Sequence, residues 1–194
     1  VSEFLPYGRQ DISEADIEAV VAALRDPMIT QGPRVEQFET AFAETVGARH
    51  AVAFATGTAA LHAAVVAAGL GPGDEVLTTP ISFVSSSNCA LFVGARPRFA
   101  DVDAATANLD IAAALGGGLA NGVKACLPVS LSGLPADLDA LQQLRREGVV
   151  VIEDACHALG ASRQGRPVGG DGRADMTAFS LHPVKSITTG EGGV

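Results

Sequence analysis

Tryptophan is absent from the 194 residues, tyrosine occurs once, and lysine only twice, at Lys124 and Lys185. Basic residues are scarce overall: 13 Lys and Arg against 22 Asp and Glu leave a formal net charge of −9. That balance argues against nucleic acid or an anionic membrane as the main partner. An acidic protein can still hold an anionic cofactor where backbone amides and a few placed cations act locally. The three cysteines, Cys89, Cys126 and Cys156, are widely spaced and form no CxxC pair. They suggest neither a disulfide framework nor a metal site, and read as small buried hydrophobes in a reducing cytoplasm. The opening residues, VSEFLPYGRQD, lack the basic-then-apolar layout of a secretory signal. No apolar run approaches the roughly 20 residues that span a bilayer. The expected location is cytoplasmic.

Alternating blocks of Ala, Val and Gly dominate what remains. Residues 1–11 read as an extended arm, with Pro6 and Gly8 set against helix. Ser13 then opens a helix, Asp16 completes a capping box, and Ile17, Val20, Val21 and Leu24 mark one apolar face. Pro33 suits the first position of a second helix, with Val35, Phe38, Phe42 and Val46 inward and Gly47 as its C-cap. From His50 the pattern changes. Short β-rich runs at 51–55, 75–79, 98–102, 124–129, 149–154 and 175–181 alternate with helical stretches at 58–68, 82–93, 110–115 and 138–146. This predicts an α/β chain with a mostly parallel central sheet and helices on both faces. Val149-Val150-Val151-Ile152, without alternation, suits a strand buried on both sides. Two units are expected, an N-terminal arm with helices at 1–48 and a larger one at 49–194. Because Val194 falls where a further strand should begin, the chain reads as the front part of a longer protein.

The ends of those strands carry the chemistry, since ligands of open parallel sheets sit beyond the strands' carboxyl ends. Thr56-Gly57-Thr58 turns from a strand into a helix, and its free amides can cradle a phosphate. Taken alone, it reads as an ordinary strand-helix turn with a Thr cap. Phe83 can lie flat on a planar ring or simply be core. Asp154 ends the buried strand, where a carboxylate is costly without a partner; a protonated ring nitrogen is one partner, the cap of a following helix another. His157 lies about one helical turn further on. Ser180 and Lys185 follow the last strand, and Gly190, Gly192 and Gly193 allow close backbone approach. A partly desolvated lysine there is a nucleophile for a carbonyl; a lysine snorkelling to solvent is the bland alternative. A phosphate cradle, a ring stacker, a carboxylate for a pyridinium and an amine for a Schiff base are together the parts needed to hold pyridoxal 5'-phosphate. No GxGxxG or Walker sequence competes for the phosphate.

Five segments in order, Gly57-Thr58-Ala59-Ala60-Leu61, Gly73-Asp74-Glu75-Val76, Thr78-Thr79-Pro80, Ile152 to Ala158 and His182-Pro183-Val184-Lys185, resemble the DegT/DnrJ/EryC1/StrS family of nucleotide-sugar aminotransferases. The resemblance runs from about Tyr7 to Val194. It implies the fold type I large domain of a pyridoxal-phosphate transferase, with 49–194 as its cofactor-binding part, incomplete at the C-terminus. It also implies a homodimer. By motif, Lys185 would form the Schiff base and move the proton, Asp154 would keep the pyridine nitrogen protonated, and Gly57, Thr58 and Ser180 would bind phosphate. Phe83 would stack on the ring, His157 would lie beside it, and Tyr7 and Gln31 would face the sugar nucleotide. Residues 79–84 with Ser87-Asn88, and residues 185–189, are most similar to the pseudaminic-acid branch. That likeness implies amination of the 4-keto carbon of a UDP-linked 6-deoxy-N-acetyl-hexosamine, with glutamate as donor. Relatives that dehydrate the sugar carry His where Lys185 stands, so Lys185 favours transamination, and its presence also speaks against a non-catalytic sugar-nucleotide binder. The chain departs from the family at Ser130-Leu131-Ser132-Gly133-Leu134-Pro135, where an aromatic-Ala-Gly usually precedes the proline, and at Leu181, where Phe is commoner.

Overall fold

Alternation along three neighbouring strands builds a core on each face of one sheet. The computed structural model describes residues 4, 6 and 8–194. In it β1 (Glu75–Thr78), β2 (Arg96–Phe99), β3 (Ala125–Leu127), β4 (Val150–Asp154) and β7 (Met176–Ala178) form a parallel sheet in the order β2-β1-β3-β4-β7. Side chains of successive strand residues point to opposite faces. Val76, Ala125, Leu127 and Ile152 therefore meet α3 (Gly57–Ala67) and α4 (Ser85–Phe92) on one side. Leu77, Cys126 and Val151 meet α5 (Ile111–Gly116) and the segment leading into α6 (Gln142–Arg146) on the other. A third cluster joins Phe42 and Val46 of α2 (Pro33–Val46) to Phe179 and Leu181, with the Phe42 and Phe179 rings edge to face at 5.2 Å. Leu181 fills a packing role in this cluster.

The caps form as the sequence dictates. Ser13 and Asp16 close a reciprocal capping box at the start of α1 (Glu14–Arg25), Pro33 begins α2, and Gly47 ends it in the left-handed conformation at φ 76°. The apolar stripe of α1 is another matter. Ile17, Val20, Val21 and Leu24 are all exposed and no residue of the helix is buried, because no described element packs on that face. Val35 is exposed likewise.

Element boundaries moved where a local interaction outweighed propensity. The helix expected from residue 82 starts at Ser85, because Thr79 Oγ1 accepts the Ile81 N–H at 3.1 Å and holds the preceding residues in a turn. The edge strand expected at 98–102 begins two residues earlier, with Arg96 and Arg98 both paired to Glu75 and Pro97 tolerated at the edge. Of the helix expected at 138–146 only Gln142–Arg146 is α-helical, yet Leu138, Leu141 and Leu144 are buried as the pattern requires. Residues 51–55 form no strand. Phe54 instead makes a single antiparallel bridge to Gly193, which also bridges Ser180, so the chain end lies between those two segments. A small hairpin, β5 (Ser162–Arg163) and β6 (Arg166–Pro167), was not legible in advance. Its turn uses Gln164 and Gly165 at φ 54° and 74°, the two positive angles of a type I′ turn without the usual Asn-Gly.

Candidate active site

The carboxyl ends of the strands and the start of α3 enclose a cavity of about 340 Å³. Gly57, Thr58, Phe83, Asp154, His157, Ser180 and Lys185 all line it. Gln31 is not among its lining residues; it sits on an exposed turn at φ 50°. Tyr7 lies outside the described residues, though its neighbour Gly8 runs beside Val184 on the cavity wall, where a Cβ would stand 3.6 Å from the Val184 Cα. A second cavity of about 480 Å³ lies between the Phe54 segment and β7 and is lined mostly by Ala, Val, Phe and Gly. The smaller cavity brings the Lys185 amine together with imidazole, carboxylate and hydroxyl groups.

Helix α3 enters the site by its N-terminus. Thr56 caps it, accepting the Ala59 N–H at 3.1 Å, and an α-helix leaves the amides of Gly57 and Thr58 without intrahelical partners. Gly57 brings that end against the strand-end loop: a Cβ there would lie 2.9 Å from Ser180 Cβ and 3.1 Å from Cys156 Sγ. Glycine is demanded by the approach itself. Amides, helix dipole and the Ser180 hydroxyl together form an anion cradle.

Asp154 is only 3% exposed, at the last position of β4. Its Oδ1 accepts the Cys156 N–H at 3.1 Å and its Oδ2 accepts the Ser86 hydroxyl at 2.5 Å. The residues that follow form turns, so Asp154 caps no helix. His157 Nδ1 accepts the Ser132 N–H at 3.2 Å, which leaves Nε2 carrying the proton of the neutral ring. Burial, reinforced by the Lys185 charge, holds that imidazole below its usual pKa against the opposing pull of Asp154. The Ser130-Leu131-Ser132-Gly133 departure is therefore where the His157 ring is fixed, with Ser132 at φ 52° to aim its amide.

Lys185 sits on a tight loop. Its N–H donates to the His182 carbonyl at 2.9 Å, and the loop's base is closed by Thr188 Oγ1 and Thr189 N–H, both on the Leu181 carbonyl at 2.9 and 3.1 Å. Lys124, the other lysine, is exposed just before β3. Phe83 is 65% exposed on the cavity's rim, its ring free to cover a planar guest. The Cys156 thiol lines the cavity too, but burial and then the Asp154 charge push its pKa up, which keeps it protonated and poorly nucleophilic.

The profile of the DegT/DnrJ/EryC1/StrS aminotransferase family matches residues 10–194. This chain is a member of that family. It is 42% identical, over all 194 residues, to the spore coat polysaccharide biosynthesis protein SpsC of Bacillus subtilis, covering 49% of that protein. Among solved structures it is similar to Spr1654 from Streptococcus pneumoniae, described as a sugar aminotransferase, in its PMP-form. The TM-score is 0.91 at 33% identity, over 98% of this chain and 51% of that one. Helicobacter pylori PseC, an aminotransferase involved in the biosynthesis of pseudoaminic acid, superposes with TM-score 0.90 at 34% identity, over 97% and 50%. The chain spans about half the length of the relatives it matches.

Within this DegT-family site, several lining residues carried no sequence signal of their own. Ser82, Ser85 and Glu191 line the cavity, and Ser86 stands behind Asp154. Only the packing of α4 against the sheet brings Ser86 to a residue 68 positions away. Ser132 reaches the site through its backbone, which side-chain reasoning does not see.

Proposed function

We propose that this chain forms the cofactor-binding part of a pyridoxal-phosphate-dependent sugar aminotransferase. The observation that carries the reading is the convergence of Lys185, Asp154 and the α3 N-terminus with Ser180 on one cavity. Its size lies within the range of small-ligand sites, about 300–1,000 Å³. The donor set fits the cofactor. The cradle at Gly57, which a Cβ would fill, suits a phosphate, and a buried carboxylate held by two donors suits a ring N–H. When bound, pyridoxal phosphate supplies an electron sink for negative charge developing at the carbon that bears the amine.

The chain's own groups do the rest. The Gly57 and Thr58 amides and the Ser180 hydroxyl bind the phosphate. Asp154 holds a proton on the ring nitrogen. Phe83 covers one face of the ring and excludes water, and His157 offers its Nε2–H beside it. Lys185 would hold the cofactor through its amine and would take and return a proton at Nζ. Glutamate is the donor in this reading, and the acceptor is the 4-keto carbon of a UDP-linked 6-deoxy-N-acetyl-hexosamine on the way to pseudaminic acid. Tyr7 and Gln31 would contact the sugar nucleotide. Likeness to PseC supports that acceptor. A homodimer in a reducing cytoplasm completes the reading, in keeping with three unpaired cysteines. A second reading is favoured by the identity to SpsC: another sugar aminotransferase of the family, serving a polysaccharide with a different keto sugar.

Borohydride reduction of the PLP-loaded protein followed by peptide mass mapping tests the site. The label should fall on Lys185, and a label on Lys124 or none at all would refute the assignment. A panel of keto-sugar nucleotides assayed with glutamate tests the substrate. Preference for a 3-keto sugar, or for a dTDP over a UDP carrier, rejects the pseudaminic-acid reading.

A further inference from the structure

The carboxylate at the floor of the cavity is backed by a chain of hydroxyls. Ser86 Oγ lies 2.5 Å from Asp154 Oδ2, and Ser82 Oγ lies 2.6 Å from Ser86 Oγ. An ionised carboxylate only accepts, so the Ser86 hydrogen points at Asp154. Ser86 is left with lone pairs toward Ser82, so Ser82 must donate to it. The chain thus has one direction, from Ser82 on the cavity wall, through Ser86, which is 1% exposed, to the back of Asp154. The other carboxylate oxygen is held by the Cys156 N–H.

We propose that Ser86, polarised by Ser82, is the positioning residue that holds Asp154 aimed into the cavity, so that Asp154 can hold a proton on a ring nitrogen bound there. This rests on the proposed cofactor. A hydrogen bond to a charged group in a nearly dry site is strong, and a donor that itself accepts a hydrogen bond is stronger still. Without Ser86, Asp154 keeps a single donor in a buried place, and the shared proton moves from the ring toward the carboxylate. Asp154 would then anchor the cofactor less tightly and support its electron-sink chemistry less well.

The experiment compares the purified protein with Ser86→Ala, Ser86→Thr and Ser82→Ala, using PLP labelled with ¹⁵N in the ring. Equilibrium binding and the ¹⁵N resonance are read, neither of which depends on turnover. Ser86→Ala should bind PLP about ten- to a hundredfold more weakly, the range expected for one hydrogen bond to a charged group. Its ring nitrogen should move toward the unprotonated resonance. Ser86→Thr, which keeps the hydroxyl, should restore both, and Ser82→Ala should shift both in the same direction by less. Wild-type affinity and a fully protonated ring in Ser86→Ala overturn the relay alone. If Ser86→Ala fails to fold, Ser82→Ala decides, and an unchanged ring nitrogen in it overturns the relay. A wild-type protein that binds no PLP overturns the proposed function and the relay with it.

Discussion

Replacing Gly57 with alanine sets two physical effects of opposite sign against each other. By propensity alone, Ala in place of Gly in a helix stabilises by about 0.5–1 kcal/mol. The site geometry says the reverse. The new methyl would lie 2.9 Å from Ser180 Cβ and 3.3 Å from its Cα, while two carbons rest at about 3.5 Å or more. One partner must retreat by about 0.6 Å. Neither moves freely, because α3 is capped at Thr56 and the Ser180 segment is pinned through the Phe179 and Leu181 amides, at 2.8 and 2.9 Å from the Val194 and Gly192 carbonyls. Overpacking of this kind costs about 1–3 kcal/mol, leaving a net loss of up to about 2.5 kcal/mol, centred near 1, after the propensity gain. For a chain of this size a loss of about 1 kcal/mol lowers Tm by about 2–4 °C. The amides proposed to cradle phosphate would shift with the helix, weakening PLP binding about tenfold or more. Gly71→Ala is the control: nothing lies within 4 Å of its Cβ, and stability should change by less than about 0.5 kcal/mol. Thermal melts and PLP titrations of both variants decide the matter. A Gly57→Ala protein as stable as wild type, with unchanged PLP affinity, would show that α3 does not press on Ser180.

Three further outcomes follow from the same geometry. Lys185→Ala should abolish any borohydride-trappable link between PLP and the chain while still binding PLP reversibly, since Lys124 is exposed at a separate place; a surviving link would reassign the amine. Asp154→Asn should leave the fold largely intact yet cut turnover by orders of magnitude, because an amide cannot hold a proton on a ring nitrogen; near-normal turnover would reduce Asp154 to a backbone staple for Cys156. Burial pushes Glu153 from an ordinary 4.5 up to about 7, so between those values the unfolded chain releases a proton that the folded chain retains, and stability falls as pH rises through that window by on the order of 3 kcal/mol. Glu153→Gln keeps an acceptor for Ser130 and should flatten that fall; denaturation curves that stay parallel to wild type from pH 4.5 to 8 would contradict it.

How much was readable in the sequence depended on whether a feature was local. The capping box at Ser13, the Pro33 start and the Gly47 stop each involve residues within four positions, and all three form. The strand ends at Thr78 and Asp154 and the turn at Thr56 were legible because short apolar runs flank them. The parallel order around them follows from the strand–helix alternation. The hairpin at Ser162–Pro167 was missed because its turn residues, Gln164-Gly165, lack the usual signature. Phe54 bridges a residue 139 positions further on, a non-local pairing that no window detects. The same holds in the site. Lys185, Asp154 and His157 announce themselves by type and setting. Ser86 and the Ser132 amide matter only through partners that the fold brings from elsewhere.

Glu153 and Asp154 show how the sheet sorts two like residues into different work. They are neighbours on one strand, so the pleat sends them to opposite faces. Asp154 follows Ile152 to the face covered by α3 and α4, where the Ser86 hydroxyl and the Cys156 amide donate to it beside the cavity. Glu153 follows Val151 to the other face, where the Ser130 hydroxyl donates to it at 2.5 Å and burial favours its neutral form. Ser130 in turn accepts the Ala136 N–H at 2.9 Å, so Glu153 ties down the loop whose Ser132 amide fixes His157. Glu153 thus organises the loop that orients the imidazole, while Asp154 faces the cavity. Shifting β4 by one residue would exchange the two faces, turning Glu153 toward α3 and α4 and Asp154 away from Ser86, so the pairing of Ala125 with Val150 and of Ile152 with Met176 matters to the chemistry as much as to the core.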